Sequence, residues 1–305
     1  MSKHGKLQTN LEYLAARTVL STLGLLPVSG AMSIGEKLGI VAYFLAGNLR
    51  RTGQRNLQIA FPEKTDTERE QLVRGCFRSL GRQLGIFSKF AHSPAEELLS
   101  VIQISELEHY EQLKTENNGV LFFTAHLGGW ELLPLCSSLL GYPLNVVVRR
   151  LDNSKVEELV ERIRARWGNQ TLDKISAGRQ MIKALRSGEQ LGLLTDLNVV
   201  GEEAIFVDFF GKPAATNFMV AKLALRTRAT IMPIFAPWDE KVGKFVLQVS
   251  PPVTMEVTGD EETDVRNLTT KLTLITENKI RDYPDQWLWI HKRWKTRPPG
   301  ESPIY

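Results

Sequence analysis

A histidine and a glutamate stand five residues apart near the middle of this sequence, and such a pair can carry out acid–base chemistry. His126 is followed by Leu-Gly-Gly-Trp and then by Glu131. An imidazole accepts a proton near neutral pH, and a carboxylate can fix its tautomer and stabilise the imidazolium. The pair is therefore a candidate general base with an orienting acid. A core histidine beside a glutamate at a helix start would give the same spacing, because the helix dipole favours an acid there.

The residues around this pair predict a strand, a tight turn and a helix. Gly119 precedes an aromatic-rich apolar run, typical of a buried strand, and a second apolar run over 132–140 is typical of a helix. In open α/β sheets, ligands bind where strands end, since helix N-termini point amide donors there. Gly128 and Gly129 have no Cβ atom, so we expect their N–H groups to approach a substrate closely.

Two further predicted strands also end in polar residues. A strand rich in β-branched residues is followed by Arg149, and a later buried strand is followed by Asp196 and Asn198. Helical segments separate the strands, which predicts an α/β fold with a mixed, mostly parallel central sheet flanked by helices. On that topology His126, Arg149 and Asp196 share one edge of the sheet. A base, a cation and an acid would then meet there.

An unusually aromatic segment covers residues 204–211 and contains Phe206, Phe209 and Phe210. These side chains could line an apolar channel beside the polar edge of the sheet, and we expect them to bind the apolar part of a substrate. The alternative is a strand that packs its phenylalanines into the core.

The first 60 residues have the composition of a membrane-associating segment, and 61–305 are predicted to form the α/β body. Two apolar stretches, 11–26 and 31–49, are each interrupted by charges. Neither gives the roughly 20 apolar residues of a clear spanning helix. We expect a helical hairpin in or on a membrane; a single tilted span and a pair of buried helices are the alternatives. Three arginines would lie at headgroup level: Arg50, Arg51 and Arg55.

Tryptophans and basic residues alternate at the other end of the chain, over 286–297. This composition is typical of a membrane interface, where indoles and cations lie at headgroup depth. It would also suit single-stranded nucleic acid. No RNP, helix-turn-helix or zinc-finger pattern accompanies it, so we expect no nucleic-acid partner. Since the first 60 residues are also basic, with seven Lys/Arg against two Glu, both ends of the chain suit an anionic surface.

The sequence contains no pattern for a metal or a nucleotide cofactor. His126 and Glu131 lack the His-Glu-x-x-His spacing, and neither a P-loop nor a G-x-G-x-x-G pattern occurs. Cys76 and Cys136 have neither metal nor disulfide spacing, and a reducing compartment is the simpler interpretation. We therefore expect chemistry with no metal and no cofactor.

Five short motifs are spread over nearly the whole chain. They are Arg-Asn-Leu-Gln-Ile-Ala-Phe-Pro-Glu at 55–63, Thr-Ala-His-Leu-Gly-Gly-Trp-Glu at 124–131, Asp-x-Asn at 196–198, Val-x-Phe-Phe-Gly with Ala-Thr at 207–216, and Trp-Leu-Trp-Ile-His-Lys-Arg-Trp-Lys-Thr at 287–296. This set resembles the lipid A biosynthesis late acyltransferases, the lauroyl and myristoyl transferases, within the lysophospholipid acyltransferase superfamily. The histidine–acid motif is shared across the superfamily, whereas the last motif is more specific to this branch.

The resemblance implies acyl transfer from a thioester of acyl carrier protein or coenzyme A to a hydroxyl of a membrane glycolipid. A lipid A precursor at the cytoplasmic face of the bacterial inner membrane is the implied acceptor. His126 would deprotonate the hydroxyl, and Glu131 and Asp196 are both candidates to orient its ring. Direct transfer without an acyl-enzyme is expected, because the motif places no Ser or Cys beside His126.

The resemblance also suggests which groups bind charge. Arg164 occupies a position similar to an arginine implicated in the family. Either Arg164 or Arg149 would bind acceptor phosphate or stabilise the tetrahedral oxyanion, and amides near Gly128 and Gly129 could do the latter.

Some residues depart from the family pattern. Leu127-Gly-Gly stands where the family often has Phe-Gly-Asn, and an acid frequent in the helix around 81–90 is absent. These changes concern the acceptor more than the base. The alternative acceptors are a lysophospholipid, a glycosylated phosphatidylinositol or an aminolipid. A membrane-bound scaffold without turnover is the alternative from another class.

Overall fold

Residues 5–113, 119–173 and 177–305 are described by the computed structural model of the chain. The helices are α1 (Lys6–Gly24), α2 (Val28–Leu45), α3 (Gly47–Ala60), α4 (Asp66–Lys89), α5 (Ala95–Leu99), α6 (Glu108–Leu113), α7 (Leu132–Leu139), α8 (Ser154–Ala165), α9 (Gly178–Arg186), α10 (Met219–Thr227) and α11 (Glu261–Asp282). The strands are β1 (Ile102–Ser105), β2 (Val120–Thr124), β3 (Asn145–Val148), β4 (Gln170–Asp173), β5 (Gln190–Leu194), β6 (Ala204–Phe209), β7 (Lys212–Asn217), β8 (Thr230–Phe235), β9 (Trp238–Asp239) and β10 (Lys244–Val249).

The main sheet has the strand order β1-β10-β8-β2-β5-β3-β4, with β9 beside β10, and helices cover both of its faces. β10 runs antiparallel to β8 and β9, whereas the other neighbouring pairs are parallel. β2 is buried along its whole length: Leu121 and Phe123 pack into one apolar core, and Val120 and Phe122 into the other. A strand buried on both faces is expected in a parallel sheet. The predicted α/β class with a mixed, mostly parallel sheet is confirmed.

The register of the central strands brings the predicted polar residues together. β5 lies between β2 and β3, and Thr124 pairs with Leu194 at the carboxyl ends of β2 and β5. The residues that follow these two strands, His126 and Asp196, therefore leave the sheet side by side. β6 and β7 form a separate antiparallel hairpin.

The sequence Thr-Asp-Thr-Glu at 65–68 is a helix-start signal and predicts the beginning of α4. α4 begins at a capping box, in which the Thr65 side chain accepts from the Glu68 N–H while the Glu68 carboxylate accepts from the Thr65 N–H. The sequence over 230–235 and 244–249 also predicts two strands, and these match β8 and β10. β1 and β4 were not predicted from the sequence; they have four residues each and lie at the two ends of the sheet.

The N-terminal hairpin packs closely against the body of the protein. A Cβ atom on Gly35 would lie 2.1 Å from the carbonyl oxygen of Gly81, and one on Gly39 would lie 2.1 Å from that of Phe77. The backbones of α2 and α4 are therefore in contact, which only glycine permits at this distance. α2 is also long and apolar enough to cross a membrane.

The C-terminal tryptophans are buried, so the prediction that they lie at a membrane interface is wrong. Trp287, Trp289 and Trp294 are all fully buried, within the same apolar core as Phe209 and Phe210. Indoles supply large apolar surfaces, and the gain from burying them outweighs interface placement when a core is available. A buried asparagine, Asn56 on α3, holds this segment by donating to the carbonyl oxygens of Trp289 and His291, each at 2.6 Å.

Candidate active site

The structure pairs His126 with Asp196. Nδ1 of His126 lies 2.8 Å from Oδ1 of Asp196, and the backbone N–H of His126 donates to Oδ2 of the same carboxylate at 2.8 Å. The Asp196 side chain is fully buried, whereas that of His126 is 22% exposed. The Asp196 carboxylate therefore binds the ring through Nδ1 on its buried side, and Nε2 remains available to a substrate.

A tryptophan completes the surroundings of this carboxylate. The indole N–H of Trp287 donates to Oδ2 of Asp196 at 2.7 Å. Burial by itself would raise the pKa of Asp196, but the charge and hydrogen bonds of His126 and the Trp287 hydrogen bond outweigh it, and the pKa is lowered. Asp196 is thus an anion at neutral pH and can stabilise an imidazolium on His126.

Glu131 has a different partner. Nε of Arg164 donates to Oε2 of Glu131 at 3.0 Å, and Nη2 of Arg164 donates to Oε1, so the pair is bidentate. Burial lowers the pKa of Arg164, but the Glu131 carboxylate more than compensates and the pKa is raised. Of the two candidate acids, Asp196 is the one that contacts His126. Glu131 instead holds a guanidinium at the edge of the site.

The two glycines do not present free amide groups, contrary to the expectation from the sequence. The N–H of Gly128 donates to the carbonyl of Gln286, and the N–H of Gly129 donates to the carbonyl of Ala236. Gly128 has φ +59°, and a Cβ atom there would lie 2.4 Å from the Ala236 oxygen. These glycines therefore allow the turn to pack on neighbouring backbone rather than on a substrate.

His126, Glu131 and Arg164 line one cleft of about 580 Å³ at the carboxyl edge of the sheet. Arg149, which is exposed, and Asn198 line the same cleft. The Asn198 side chain is engaged within the protein: Nδ2 donates to Oγ1 of Thr296, and Oδ1 accepts from the Thr296 N–H. Asn198 thus fixes the loop after β5 on the C-terminal segment.

The predicted phenylalanines lie elsewhere. Phe206, Phe209 and Phe210 line neither this cleft nor the apolar pocket next to it. Phe209 packs against Trp287 with ring centroids 5.7 Å apart, and Phe210 packs against Trp289 with centroids 6.1 Å apart. Phe209 and Phe210 therefore follow the alternative interpretation, in which the aromatic segment fills the core.

A narrow apolar pocket extends from the cleft beneath the sheet. The two share Trp130, Pro134, Val146, Leu193 and Leu194 in their walls. The pocket runs between the sheet and α7 and continues as far as α6. Its wall is almost entirely apolar and its volume is about 50 Å³, so it suits a short apolar segment such as part of a hydrocarbon chain.

Trp130 marks the mouth of this pocket. Its ring lies 5.2 Å from the His126 ring, centroid to centroid, and it lines both the cleft and the pocket. A chain leaving the pocket would therefore emerge beside the imidazole. Trp130 was not predicted as a site residue, although its position between His126 and Glu131 was a usable signal.

His291, which was also not predicted as a site residue, lines the cleft from the C-terminal segment. The backbone N–H of Asn198 donates to its Nε2 at 3.2 Å. Burial lowers the pKa of His291 to about 4, Asp196 opposes this, and the positive charges of His126, Arg293 and Lys295 add to it. A histidine inside the most family-specific motif was the available signal.

Chemically, the cleft combines a base, cations and an apolar pocket. Nε2 of His126 can remove a proton from a hydroxyl, and Asp196 stabilises the charge that results. Arg149 and Arg164 provide positive charge for an anionic group. Within the described ranges, no group of three His, Cys, Asp or Glu side chains could hold a metal ion.

Comparisons with known proteins agree with a site that combines a base, cations and an apolar pocket. The profile of a family described as bacterial lipid A biosynthesis acyltransferase matches residues 3–296. The chain is 26% identical to a lipid A biosynthesis myristoyltransferase of Escherichia coli (strain K12) over 94% of this chain and 87% of that protein. It is 28% identical to the lipid A biosynthesis lauroyltransferase of the same strain, over 92% of this chain and 90% of that protein. A lipid A biosynthesis acyltransferase of Haemophilus influenzae is 27% identical, over 87% and 82%.

The family profile covers all five motifs. In the structure, four of them meet at or beneath one cleft. Asn56 of the motif at 55–63 binds the motif at 287–296, and Trp287 of that motif binds Asp196. The chain belongs to the bacterial lipid A biosynthesis acyltransferase family and is an acyltransferase.

Proposed function

We propose that the protein transfers a fatty acyl chain from a thioester, of acyl carrier protein or coenzyme A, to a hydroxyl of a lipid A precursor, with His126 as general base. The observation that carries this proposal is the juxtaposition of the His126–Asp196 pair with the mouth of an apolar pocket. The names of the relatives support the acceptor class.

The reaction is direct transfer. Nε2 of His126 takes the proton of the acceptor hydroxyl while its oxygen bonds to the thioester carbon, and the carbonyl oxygen becomes an oxyanion. The carbon–sulfur bond then breaks, the oxyanion returns to a carbonyl, and the thiolate leaves and takes the proton from His126. Asp196 keeps the imidazole oriented and stabilises its charged form through both steps. The products are an ester and the carrier thiol.

The acyl chain and the acceptor headgroup bind at different ends of the cleft. The acyl chain enters the apolar pocket past Trp130, since water would otherwise surround its methylenes at a cost of about 0.8 kcal/mol each. The exposed Arg149 binds the anionic headgroup of the acceptor, because a guanidinium matches phosphate oxygens in a bidentate geometry, and Arg164 adds the N–H groups that do not donate to Glu131. Glu131 keeps Arg164 in position for this.

Purified protein in detergent micelles tests the function directly. Wild type, His126→Ala and Asp196→Asn are each given acyl carrier protein and coenzyme A thioesters, with either a lipid A precursor or a lysophospholipid as acceptor, and products are identified by mass spectrometry. We expect an ester product from wild type and near-complete loss in His126→Ala. His92→Ala is the matched control, because His92 is exposed and outside the cleft. Full turnover by His126→Ala would refute the proposed base, and transfer only to a lysophospholipid would refute the acceptor.

We propose further that α2 lies in the plane of an anionic bilayer. Its inner face contacts α4, which exposes charged residues such as Arg74, so a spanning α2 would carry charges into hydrocarbon. Its outer face exposes large apolar side chains at helical spacing: Ile34, Leu38, Val41, Phe44 and Leu45. An apolar stripe with nearby basic residues is typical of a helix at a membrane interface.

The membrane face is assigned to the cytoplasmic side of the bacterial inner membrane. That leaflet surface is anionic and attracts basic segments such as the first 60 residues. The free, buried cysteines Cys76 and Cys136 are consistent with a reducing compartment.

Site-specific labelling distinguishes the two membrane arrangements. Single cysteines at Leu25 and Leu49, which flank α2 and are exposed, are reacted with an impermeant maleimide in sealed vesicles. An in-plane helix predicts that both label from the same side, whereas labelling from opposite sides would refute it. Phe44→Glu should weaken binding to anionic vesicles, and Val242→Glu, on the exposed β9–β10 turn, is the matched control.

A further inference from the structure

His291 approaches the cleft from the C-terminal segment, and His126 enters it from the turn after β2. The two imidazoles therefore face one space from different parts of the chain. The sequence motif around His291 is dominated by buried tryptophans that build the core. His291 is the histidine of this motif, and its ring lines the cleft.

The hydrogen bonds of His291 determine where its proton lies. Nε2 accepts the backbone N–H of Asn198 at 3.2 Å, so Nε2 carries no proton and Nδ1 does. In the part of the chain that the structure describes, Nδ1 has no hydrogen-bond acceptor. A donor without a protein acceptor in a cleft that binds substrate is available to a substrate oxygen.

The loop that His291 touches is held independently. Trp287 donates to Asp196, and two hydrogen bonds join Asn198 to Thr296. The backbone of His291 is itself held by Asn56. The ring is thus positioned by its neighbours and is not needed alone to keep the loop in place.

The imidazole is neutral during the reaction. Burial lowers its pKa to about 4; Asp196 acts in the opposite direction, and His126, Arg293 and Lys295 act in the same direction. A neutral N–H donor stabilises a developing oxyanion without repelling the imidazolium that forms on His126. A charged histidine would instead compete for the carboxylate of Asp196.

Apart from Arg149, the other groups that the sequence suggested for the oxyanion already have partners. The amides of Gly128 and Gly129 donate to backbone carbonyls, and two nitrogens of Arg164 donate to Glu131. We propose that His291 is a second catalytic residue, whose Nδ1–H donates to the thioester carbonyl oxygen as that oxygen becomes the tetrahedral oxyanion. This inference rests on the proposed acyl transfer. His291 keeps its proton throughout, while His126 alone takes and returns one.

Two substitutions separate this role from support of the loop. The amide of His291→Asn lies near the position of Nδ1 and retains a donor there, whereas that of His291→Gln lies near Nε2 and retains only the acceptor for Asn198. We expect kcat of His291→Gln to fall about 100-fold with KM for the thioester unchanged within about twofold, since one oxyanion donor contributes about this much. We expect His291→Asn to keep kcat within about tenfold of wild type. Wild-type kcat in His291→Gln, or a loss in His291→Asn as large as that in His291→Gln, would overturn the proposal.

A spectroscopic measurement tests the donor without activity. Protein labelled with ¹⁵N in its histidine rings should show His291 as the Nδ1–H tautomer from pH 6 to pH 8, assigned by its absence in His291→Gln. The Nε2–H tautomer, or a protonated ring in that range, would refute the inference. If wild type transfers no acyl group while the tautomer is as expected, the proposed function fails and the donor geometry stands. If wild type is active and the tautomer is reversed, only the His291 inference fails.

Discussion

Gly192 offers a direct test of the apolar pocket, because its position on β5 faces the pocket without a side chain. A Cβ atom built there has one neighbour within 4 Å, Cδ1 of Leu144 at 3.6 Å, an ordinary van der Waals distance. Gly192→Ala would thus place one carbon atom in the pocket with little displacement of the protein, and Gly192→Leu would fill more of it. Gly192 lies two residues before Leu194, or about 7 Å along the strand from the carboxyl edge.

The expected magnitude follows from the methylenes that the new side chain excludes. Each methylene kept out of an apolar site forfeits about 0.8 kcal/mol, so excluding two costs about 1.6 kcal/mol. That corresponds to about a 15-fold loss in kcat/KM for the longest acyl chain that wild type accepts. Chains that end before Gly192 should react as before. We therefore expect Gly192→Ala to shift the preference by about one to two carbons, and Gly192→Leu to shift it further.

The assay measures kcat/KM for a series of thioesters that differ by two carbons, with one acceptor. Gly178→Ala is the matched control, because a Cβ at Gly178 meets nothing within 4 Å and this residue lines neither cavity. The same chain-length profile in Gly192→Leu and wild type, at comparable overall rates, would refute the assignment of the pocket to the acyl chain. An equal loss for every chain length would show a general structural effect instead.

Four further outcomes are expected. Asp196→Asn should lower kcat by about 10³-fold or more with an unchanged circular dichroism spectrum, because an amide N–H in place of the carboxylate oxygen selects the wrong His126 tautomer; a loss below tenfold would contradict this. Asn56→Ala should lower the free energy of unfolding by about 2–4 kcal/mol in a urea titration, since it leaves buried carbonyl groups unpaired. Gly39→Ala should lower it by about 1–3 kcal/mol because of the contact with α4, whereas Gly30→Ala, with 3.7 Å to its nearest neighbour, should change it little. Stability should fall as pH drops from 6.5 towards 4, because the unfolded chain binds a proton at His291 in that window and the folded protein does not; His291→Gln should flatten this part of the melting-temperature profile.

The sequence by itself determined the layers of the fold and the edge that carries the site. Short runs of apolar and β-branched residues predicted β2, β3, β5, β8 and β10. β2 and β8 are buried over nearly their whole length, as a parallel sheet covered on both faces requires. Alternation with helices then placed His126, Arg149 and Asp196 on one edge, and these residues line or support the observed cleft. These are consequences of local pattern and chain connectivity, which sequence contains.

Tertiary structure alone decided which groups touch. Glu131 is five residues from His126 and Asp196 is 70 residues away, yet the distant acid holds the ring because β5 is the spatial neighbour of β2. The sequence showed that Gly128 and Gly129 have conformational freedom. Only the tertiary structure showed that their N–H groups donate to the carbonyl oxygens of Gln286 and Ala236. Short-range spacing cannot rank partners when the competing contacts are set by strand order.

The aromatic residues show the same limit. A segment in which Trp alternates with Lys and Arg fits two environments equally well. One is a membrane interface, and the other is a protein core in which the cations bind polar partners. In both, the apolar part of each side chain is buried and its polar end finds a partner. The structure selects the core: Trp287, Trp289 and Trp294 are fully buried, and the buried Arg293 donates to the carbonyl of Ala215 at 2.7 Å. The composition of a segment shows which side chains it can bury. Whether they are buried in a protein core or in a membrane depends on where the rest of the chain positions the segment.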